Sequence, residues 1–303
     1  VMQSDRVTVM RKGKIVNTVD TKSTTREQLT HMMISSEIAV QGLKKKINSE
    51  STVVQIKKLD VTGPRGGYAV KDLNLTLNSH EIVGIAGVAG NGQKELFETL
   101  VGIQSPESGE VWLDTEDITH WSPAEILTAG VGHIPQDRYR EGLIGQLSIV
   151  DNMLLGMQRS PRFLQRGFLN QESVRAFVQE QVDQFEIVAP SIDTLVSNLS
   201  GGNAQKVVLA RELFQASVVL LANQPTRGLD ISIADYVHRQ LLEKRKEGYA
   251  ILLASEEVEE LIKLSDRIVV MFKGQFVGEF DSDNTDLEQI GFLMAGGQLK
   301  EVH

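Results

Sequence analysis

The stretch GVAGNGQKE contains the first residues whose types and spacing could bind a ligand. It begins at Gly87, directly after the apolar run IVGIA, and leads into a segment with apolar Leu96, Phe97 and Leu100. A strand, a glycine loop and a helix in this order place successive backbone N–H groups around an anion at the helix N-terminus. The stretch therefore predicts phosphate binding by Gly87, Gly90, Asn91, Gly92, Gln93, Lys94 and Glu95.

The loop departs from the usual phosphate-binding pattern at its two reactive side chains. Counted from Gly87, the spacing G-x-x-x-x-G-K-[ST] places Gly92 at the second glycine, Gln93 at the lysine and Lys94 at the hydroxyl that binds Mg²⁺. The backbone frame is kept while both side chains differ. Taken alone, this loop is equally compatible with an ordinary glycine turn.

A second candidate anion site opens the stretch LSGGNAQKVVLARELF. Ser200 and the two glycines after it precede a segment with apolar residues at helical spacing. The Ser200 side chain and the following N–H groups would form another phosphate-binding helix N-terminus. The residues singled out here are Leu199, Ser200, Gly201, Gly202, Asn203 and Gln205.

These motifs, together with HIPQDR and QPTRGLD, resemble those of the ATP-binding cassette (ABC) ATPases in order and separation. The resemblance covers nearly the whole chain. It is greatest for the second cassette of fused, double-cassette importers of simple sugars and nucleosides, with the nucleoside branch nearer. It implies ATP as the cofactor and an α/β fold, a P-loop NTPase of the ABC type with an antiparallel β subdomain and a helical subdomain.

The resemblance assigns further roles at matching positions. Gln136 matches the Q-loop glutamine, with an ordinary surface residue as the alternative, and Asp230 matches the D-loop aspartate. Asp230 is also suited to cap the helix predicted after it. Tyr68 lies in the region of the adenine-stacking aromatic residue, with a plain packed tyrosine as the alternative. Within the charged run after Gln136, Arg138 is expected either to pair with its neighbours or to contact a partner.

The positions that carry hydrolysis in the family hold other residues in this chain. Gln93 replaces the phosphate-binding lysine, Lys94 the metal-binding hydroxyl, Asn223 the metal-side aspartate, Gln224 the catalytic glutamate and Glu256 the switch histidine. Hydrolysis of ATP needs Mg²⁺, a positive clamp and a group that positions water. We therefore expect a site that keeps its frame, binds nucleotide and hydrolyses poorly, with no intact catalytic residue and no metal ligands.

The unaltered LSGGN stretch indicates a different role for this chain. In the family, two cassettes meet head to tail, and each ATP lies between one P-loop and the other cassette's LSGG. The resemblance thus implies that Ser200, Gly201 and Gly202 complete a composite site with the P-loop of a first cassette, where Mg²⁺ and hydrolysis are expected. At the loop of this chain, Lys94 either stands in for the metal cation or points to solvent.

An internal repeat predicts the domain organisation. SDRVTVMRKGKIV begins at Ser4, and SDRIVVMFKGQFV begins at Ser265, 261 residues later. Each copy has a Lys-Gly turn between two β-rich runs, which is typical of a hairpin. The repeat predicts that residues 1–36 are the C-terminal tail of a preceding cassette, 37–52 a linker, 53–297 a second cassette with a helical subdomain at about 138–205, and 298–303 a tail.

Composition limits the other classes of function. The net charge of −9 disfavours nonspecific nucleic-acid binding, and the absence of cysteine excludes thiolate catalysis and cysteine-bound zinc. No apolar run approaches the roughly 18 residues of a membrane helix. The resemblance implies a peripheral protein on the cytoplasmic face of the membrane. Its expected partners are the first cassette of the same polypeptide, transmembrane permease subunits and, indirectly, a solute-binding protein.

Two other kinds of ABC protein fit the sequence less well. A ribosome-acting ABC protein would be expected to keep its acids and to have a long, charged helical linker, whereas the linker predicted here is short. A chromosome-maintenance ATPase would need a long coiled coil between the two glycine motifs. The 108 residues from Gly92 to Ser200 leave no room for one.

Overall fold

The computed structural model describes residues 4–11, 14–24, 51–64, 66–282 and 287–297. Within them the strands are β1 (Arg6–Arg11), β2 (Lys14–Asp20), β3 (Thr52–Thr62), β4 (Tyr68–Asn78), β5 (Ile82–Ala86), β6 (Ser108–Leu113), β7 (Glu116–Asp117), β8 (Val131–Ile134), β9 (Leu164–Gln165), β10 (Phe168–Leu169), β11 (Val219–Asn223), β12 (Ala250–Ser255), β13 (Arg267–Phe272) and β14 (Gln275–Asp281). The α-helices are α1 (Gln93–Leu100), α2 (Pro123–Thr128), α3 (Ile149–Leu154), α4 (Gln171–Gln184), α5 (Gly201–Gln215), α6 (Ile231–Lys246), α7 (Val258–Leu264) and α8 (Leu287–Met294).

A six-stranded sheet forms the centre, in the order β14-β13-β5-β12-β11-β8. Its strands pair in parallel except for β14, which is antiparallel to β13. Every residue of β5, β11 and β12 is buried, as expected for parallel strands covered on both faces. The carboxyl ends of these three strands therefore lie along one edge of the sheet, where the predicted site residues follow them.

Alternate side chains of the central strands enter two different cores. Val83 and Ile85 belong to the core shared with the antiparallel sheet β4-β3-β6-β7 and helix α1. Ile82 and Ala86 belong to the core shared with the helical layer. Because the side chains of β5 alternate between the two cores, the glycine loop that follows β5 lies between the two layers.

Helices α3, α4 and α5 form the helical layer, in the region where the sequence predicts a helical subdomain. Between Leu164 and Leu169 the chain forms the short antiparallel pair β9–β10, and α5 continues past the expected boundary to Gln215 inside the molecule. The ring of Phe177 packs against Phe163 and Phe214 at centroid distances of 5.1 and 4.5 Å. These contacts join α4 to α5, the helix that begins at the LSGG stretch.

Short polar residues begin four of these helices. Ser148, Asn170, Ser200 and Asp230 each accept a hydrogen bond from a backbone N–H in the first turn that follows. These N–H groups have no partner within the helix, so the caps stabilise the helix starts. Sequence reasoning anticipated the cap at Asp230, and the structure confirms it.

A buried ion pair fixes the start of β5. Arg245 is fully buried on α6, and its Nε donates to Oδ2 of Asp266 at 2.8 Å. The same Oδ2 accepts the backbone N–H of Ile82 at 2.9 Å. Because a buried charge is costly when it lacks its partner, this arrangement sets the position of the strand that leads into the glycine loop.

The repeated sequence forms two hairpins of the same register. Every pair of facing residues between β1 and β2 has a counterpart 261 residues later between β13 and β14. The first pair of one hairpin contains Arg6, and the first pair of the other contains Arg267. Both hairpins also contain a register shift at the same place, directly after Val9 and directly after Val270. The predicted linker at 37–52, apart from its last two residues, and the predicted tail at 298–303 lie outside the described residues. Among the residues described, no helix combines the length and apolarity needed to cross a membrane.

Candidate functional site

The glycine loop lies between β5 and α1, and its glycines are required by geometry. Gly90 and Gly92 have φ angles of +87° and +107°, a region that favours glycine. A Cβ atom on Gly92 would lie only 2.2 Å from the carbonyl oxygen of Ala69. The loop backbone therefore runs directly against β4, and the first N–H groups of α1 remain available to an anion.

Asn91 holds the loop against the turn between β13 and β14. Its Oδ1 accepts the N–H of Lys273 at 2.9 Å, and its backbone oxygen accepts that of Gly274 at 2.9 Å. Its Nδ2 donates to the oxygen of Val88 at 3.1 Å within the loop. Asn91, predicted to bind phosphate, therefore has a side chain that shapes the loop.

Gln93 and Lys94, the two altered positions, point to different surroundings. Gln93 is only 8% exposed, and its amide lies so close to Gly87 that a Cβ there would be 2.3 Å from Nε2. The Lys94 side chain is 56% exposed, and its Nζ lies 3.5 Å from Oε1 of Glu98 and 4.0 Å from Oε1 of Glu141. Lys94 thus extends from α1 toward the turn that follows Gln136.

The end of β11 carries amides at the two positions where the family has carboxylates. Asn223 ends β11 and is 5% exposed, and Gln224 follows with a φ of +51°. The Gln224 N–H donates to the oxygen of Ala254 on β12 at 2.9 Å. Glu256, directly after β12, is exposed. The strand ends keep their backbone arrangement, with amide side chains at the two central positions.

The start of α5 presents an exposed serine and two glycines. Ser200 Oγ accepts the N–H of Asn203 at 3.4 Å and its Nδ2 at 3.1 Å. Asn203 Oδ1 in turn accepts the N–H of Val188 at 2.9 Å, which ties the helix start to the segment after α4. A Cβ on Gly202 would lie 2.9 Å from a side-chain carbon of Ile233, so a larger residue would disturb α6. Leu199 directly precedes the cap and is partly buried.

Gln205 joins this helix to the loop after β11. It is 2% exposed, and its Nε2 donates to the oxygen of Pro225 at 2.9 Å. Sequence reasoning grouped Gln205 with the phosphate-binding stretch, and the structure places it as an internal brace. The two motifs, more than 20 residues apart in the chain, are thereby held together.

Arg138 is a residue whose role sequence reasoning left undecided. Its neighbours Asp137 and Arg140 pair with each other, with Oδ2 and Nε 3.7 Å apart. Arg138 instead donates from Nη1 to the oxygen of Arg227 at 3.0 Å, and Nη2 lies 3.1 Å from the position of a Cβ on Gly201. One side chain therefore connects the Gln136 turn, the loop before Asp230 and the start of α5. The dipeptide Asp-Arg in HIPQDR indicated that a charged side chain is important here. The fold is needed to show that the side chain of Arg138 is the one that turns inward.

Glu260 forms a buried network that the sequence did not reveal. Its Oε1 accepts hydrogen bonds from Thr226 Oγ1 at 2.7 Å and lies 2.7 Å from Nε2 of His238, and its Oε2 accepts from Ser255 Oγ at 2.6 Å. Burial raises the pKa of Glu260, but the hydrogen bonds, that of His238 above all, outweigh burial and bring it below its usual value. His238 is 8% exposed and is therefore a buried support of the Thr226 loop.

Tyr68 and Asp230 lie at the two margins of the candidate site. Tyr68 is the first residue of β4, 54% exposed, and adjoins Ala69, whose carbonyl touches Gly92. It also lines an open cleft of about 800 Å³ on the antiparallel sheet. The Asp230 Oδ1 accepts the N–H groups of Ser232 and Ile233 at 3.0 and 3.1 Å. The hydrogen bond from the Ser232 side chain, with those from the backbone, lowers the pKa of Asp230.

The residues present fit a phosphate chain and do not fit a magnesium ion. The loop has the close backbone approach and free helix N–H groups that bind phosphate. Mg²⁺ prefers oxygen ligands in an octahedral arrangement, whereas the corresponding positions hold the ammonium of Lys94 and the amide of Asn223. Among the described residues, no group of three or more histidine, aspartate or glutamate side chains could hold a metal ion.

Comparison with known proteins identifies the family. Residues 70–227, just over half of the chain, match the family model described as ABC transporter. The chain is 36% identical over 298 residues to the nucleoside import ATP-binding protein NupA of Lactococcus lactis, covering 98% of this chain and 59% of that protein. It is 38% identical to the glucose import ATP-binding protein TsgD13 of Haloferax volcanii, covering 97% of this chain and 54% of that protein. The chain thus spans somewhat more than half the length of these relatives.

Solved structures support the same fold. The post-hydrolysis dimer of the ATP-binding cassette MJ0796, bound to ADP and phosphate, superposes with a TM-score of 0.65 at 24% identity. The superposition covers 76% of this chain and 98% of that one. The α/β P-loop fold expected from the sequence is thereby confirmed. With the family match and the sequence relatives, it follows that the chain belongs to the ATP-binding cassette family of ABC transporters.

Proposed function

We propose that this chain is an ATP-binding unit that energises import of a nucleoside or a simple sugar through a membrane ABC transporter. Membership of the family and the names of the two import proteins to which it is similar support this role. Its transmembrane permease subunits would carry the solute, delivered by a solute-binding protein. The unit would then act peripherally, at the cytoplasmic face of the membrane.

The second part of the proposal is that the chain's own loop binds nucleotide but hydrolyses it poorly. The observation that carries this is the pair of amides, Asn223 and Gln224, at the ends of strands whose frame is otherwise intact. Neutral amides neither hold Mg²⁺ strongly nor accept the proton of attacking water. Gln93 in place of a lysine also removes a positive charge from the phosphates.

The third part is that the chain supplies its LSGG stretch to a hydrolytic site on a first cassette of the same polypeptide. Ser200 is exposed at the start of α5, and the helix N–H groups beside it are suited to a phosphate. The matching register of the β1–β2 and β13–β14 hairpins supports a tandem duplication. The greater length of the relatives is also consistent with a second cassette.

The assembled transporter allows the composite-site proposal to be tested with one matched pair of variants. Ser200→Arg blocks approach of a phosphate to α5, and we expect ATPase activity to fall by at least tenfold, about 1.4 kcal/mol in the activation barrier. Gln224→Ala alters only the chain's own nucleotide site. We expect activity within about twofold of wild type, a change in the activation barrier under about 1 kcal/mol. Steady-state phosphate release in membranes measures both. Loss of activity in Gln224→Ala with retention in Ser200→Arg would refute the proposal.

A further inference from the structure

We infer that the glycine loop binds nucleotide without a divalent cation, because the ammonium of Lys94 takes the place of the metal beside the phosphates. The inference rests on the proposed nucleotide binding and specifies the form of the ligand. The expected ligand is the free nucleoside triphosphate, not its magnesium complex.

The position of Lys94 on α1 is the first argument. It is the second residue of the helix, at the end whose N–H groups and dipole attract anions. A lysine here is unfavourable for the isolated helix, since the positive end of the dipole repels a cation. The unfavourable charge becomes useful once a phosphate chain lies between it and the helix end.

The present partners of Lys94 are the second argument. Glu98 lies one turn along α1, and Glu141 lies in the turn after Gln136, with Nζ–Oε1 distances of 3.5 and 4.0 Å. The Glu98 and Glu141 side chains are 30% and 41% exposed, so both ion pairs are open to solvent and weak. A phosphate oxygen in the loop would compete effectively for the same ammonium.

The surroundings of the expected metal position are the third argument. Asn223 is buried at 5% exposure and has an amide where a carboxylate would support Mg²⁺. Lys94 stands in the sequence at the position of the metal-binding hydroxyl, so a divalent cation bound beside its ammonium would be repelled. The change from carboxylate to amide and the change from hydroxyl to ammonium each make the site more positive by one charge, so together they take the place of the charge of Mg²⁺.

Equilibrium dialysis of the purified chain with ATP tests the inference, once with excess MgCl₂ and once with excess EDTA. We expect ATP to bind in EDTA at least as tightly as in MgCl₂, because excess Mg²⁺ converts most of the free nucleotide into its magnesium complex. Lys94→Met should weaken binding of ATP in EDTA by about tenfold or more, the loss expected for one charge-assisted contact. Lys94→Arg, which keeps the charge, should bind free ATP nearly as wild type does.

Lys246→Met is the matched control. Lys246 is an exposed lysine at the C-terminal end of α6, just before β12. Because β12 is parallel to β5, this end of α6 lies at the sheet edge opposite the glycine loop. The variant loses the same charge far from the loop and should keep both affinities.

The possible failures are distinguishable. Binding that is lost in EDTA but retained in MgCl₂ overturns the inference and leaves nucleotide binding intact. Binding in EDTA that is unchanged in Lys94→Met also overturns it, because the ammonium then makes no contact. Absence of ATP binding in both conditions overturns the proposed nucleotide binding itself.

Discussion

At the scale of single residues, the residues that hold the backbone of the site differ from those at the positions expected to do chemistry. Gly92 cannot be enlarged because Ala69 lies against it, and Gln205 keeps the turn at Pro225 in place. In contrast, Asn223 and Gln224 hold amides at the end of β11, where the resemblance expects carboxylates.

The sequence predicted the glycine loop, the LSGG helix start and the strand ends, because each is a local pattern with a fixed spacing. It did not predict that Glu260 and His238 meet inside the molecule, since they lie on different helices. Glu260 follows other acidic residues in EEVEEL. Because the helix dipole already favours acidic residues at a helix start, the pattern did not single out Glu260. Only the packing of α6 against α7 reveals which of these acids is buried.

His133 provides a prediction about pH at the residue scale. Burial, with a smaller effect of the Arg211 charge, lowers the pKa of His133 to about 4. Its ring packs against Phe97 with centroids 6.1 Å apart. The folded state therefore disfavours the protonated ring, and the free energy of unfolding should fall as pH falls from about 6.5 toward 4, by about 2 kcal/mol at pH 5.

Urea denaturation at pH 7.5 and pH 5 measures this effect. His133→Gln should lose most of the pH dependence, whereas the exposed His120→Gln should keep that of wild type. Equal pH dependence in wild type and His133→Gln would show that His133 has no part in it.

At the scale of elements, side chains that reach from one segment to another join the Gln136 turn, the loop before Asp230 and the start of α5. Arg138 reaches from the Gln136 turn to Arg227 and Gly201, and Gln205 reaches from α5 to Pro225. Sequence patterns predicted the elements themselves, because strand and helix periods are local. The contacts between these elements depend on the order of the strands, in which β12 lies between β5 and β11. No single segment of the sequence determines this order.

Arg138→Met tests the connection between these loops. Loss of a hydrogen bond from a charged group costs about 1.5–3 kcal/mol, so amides at 224–230 and at the start of α5 should exchange hydrogen about tenfold faster or more. Hydrogen–deuterium exchange with mass spectrometry measures the rates. Arg140→Met is the control, because the Arg140 side chain is 87% exposed and pairs only with Asp137 among the described residues. Unchanged exchange in Arg138→Met would mean that the loops hold together without it.

At the scale of the whole molecule, the chain combines an altered loop with an unaltered LSGG helix start on one rigid sheet edge. In a head-to-tail pair, these two features serve different nucleotides. The alteration of one and the retention of the other support the proposed asymmetric motor, in which this half would bind nucleotide and the other half would hydrolyse it. Residues 6–20, which repeat the hairpin at 267–281, are consistent with that second half.

The most direct test of this account is the steady-state ATPase rate of the purified chain at saturating ATP and Mg²⁺. It is measured beside a variant carrying Gln93→Lys, Lys94→Ser, Asn223→Asp and Gln224→Glu together. We expect no turnover above background for the wild-type chain and a rate at least about tenfold above background for the restored variant. Turnover on the order of 1 s⁻¹ by the wild-type chain, within the ordinary range of enzymes, would contradict it.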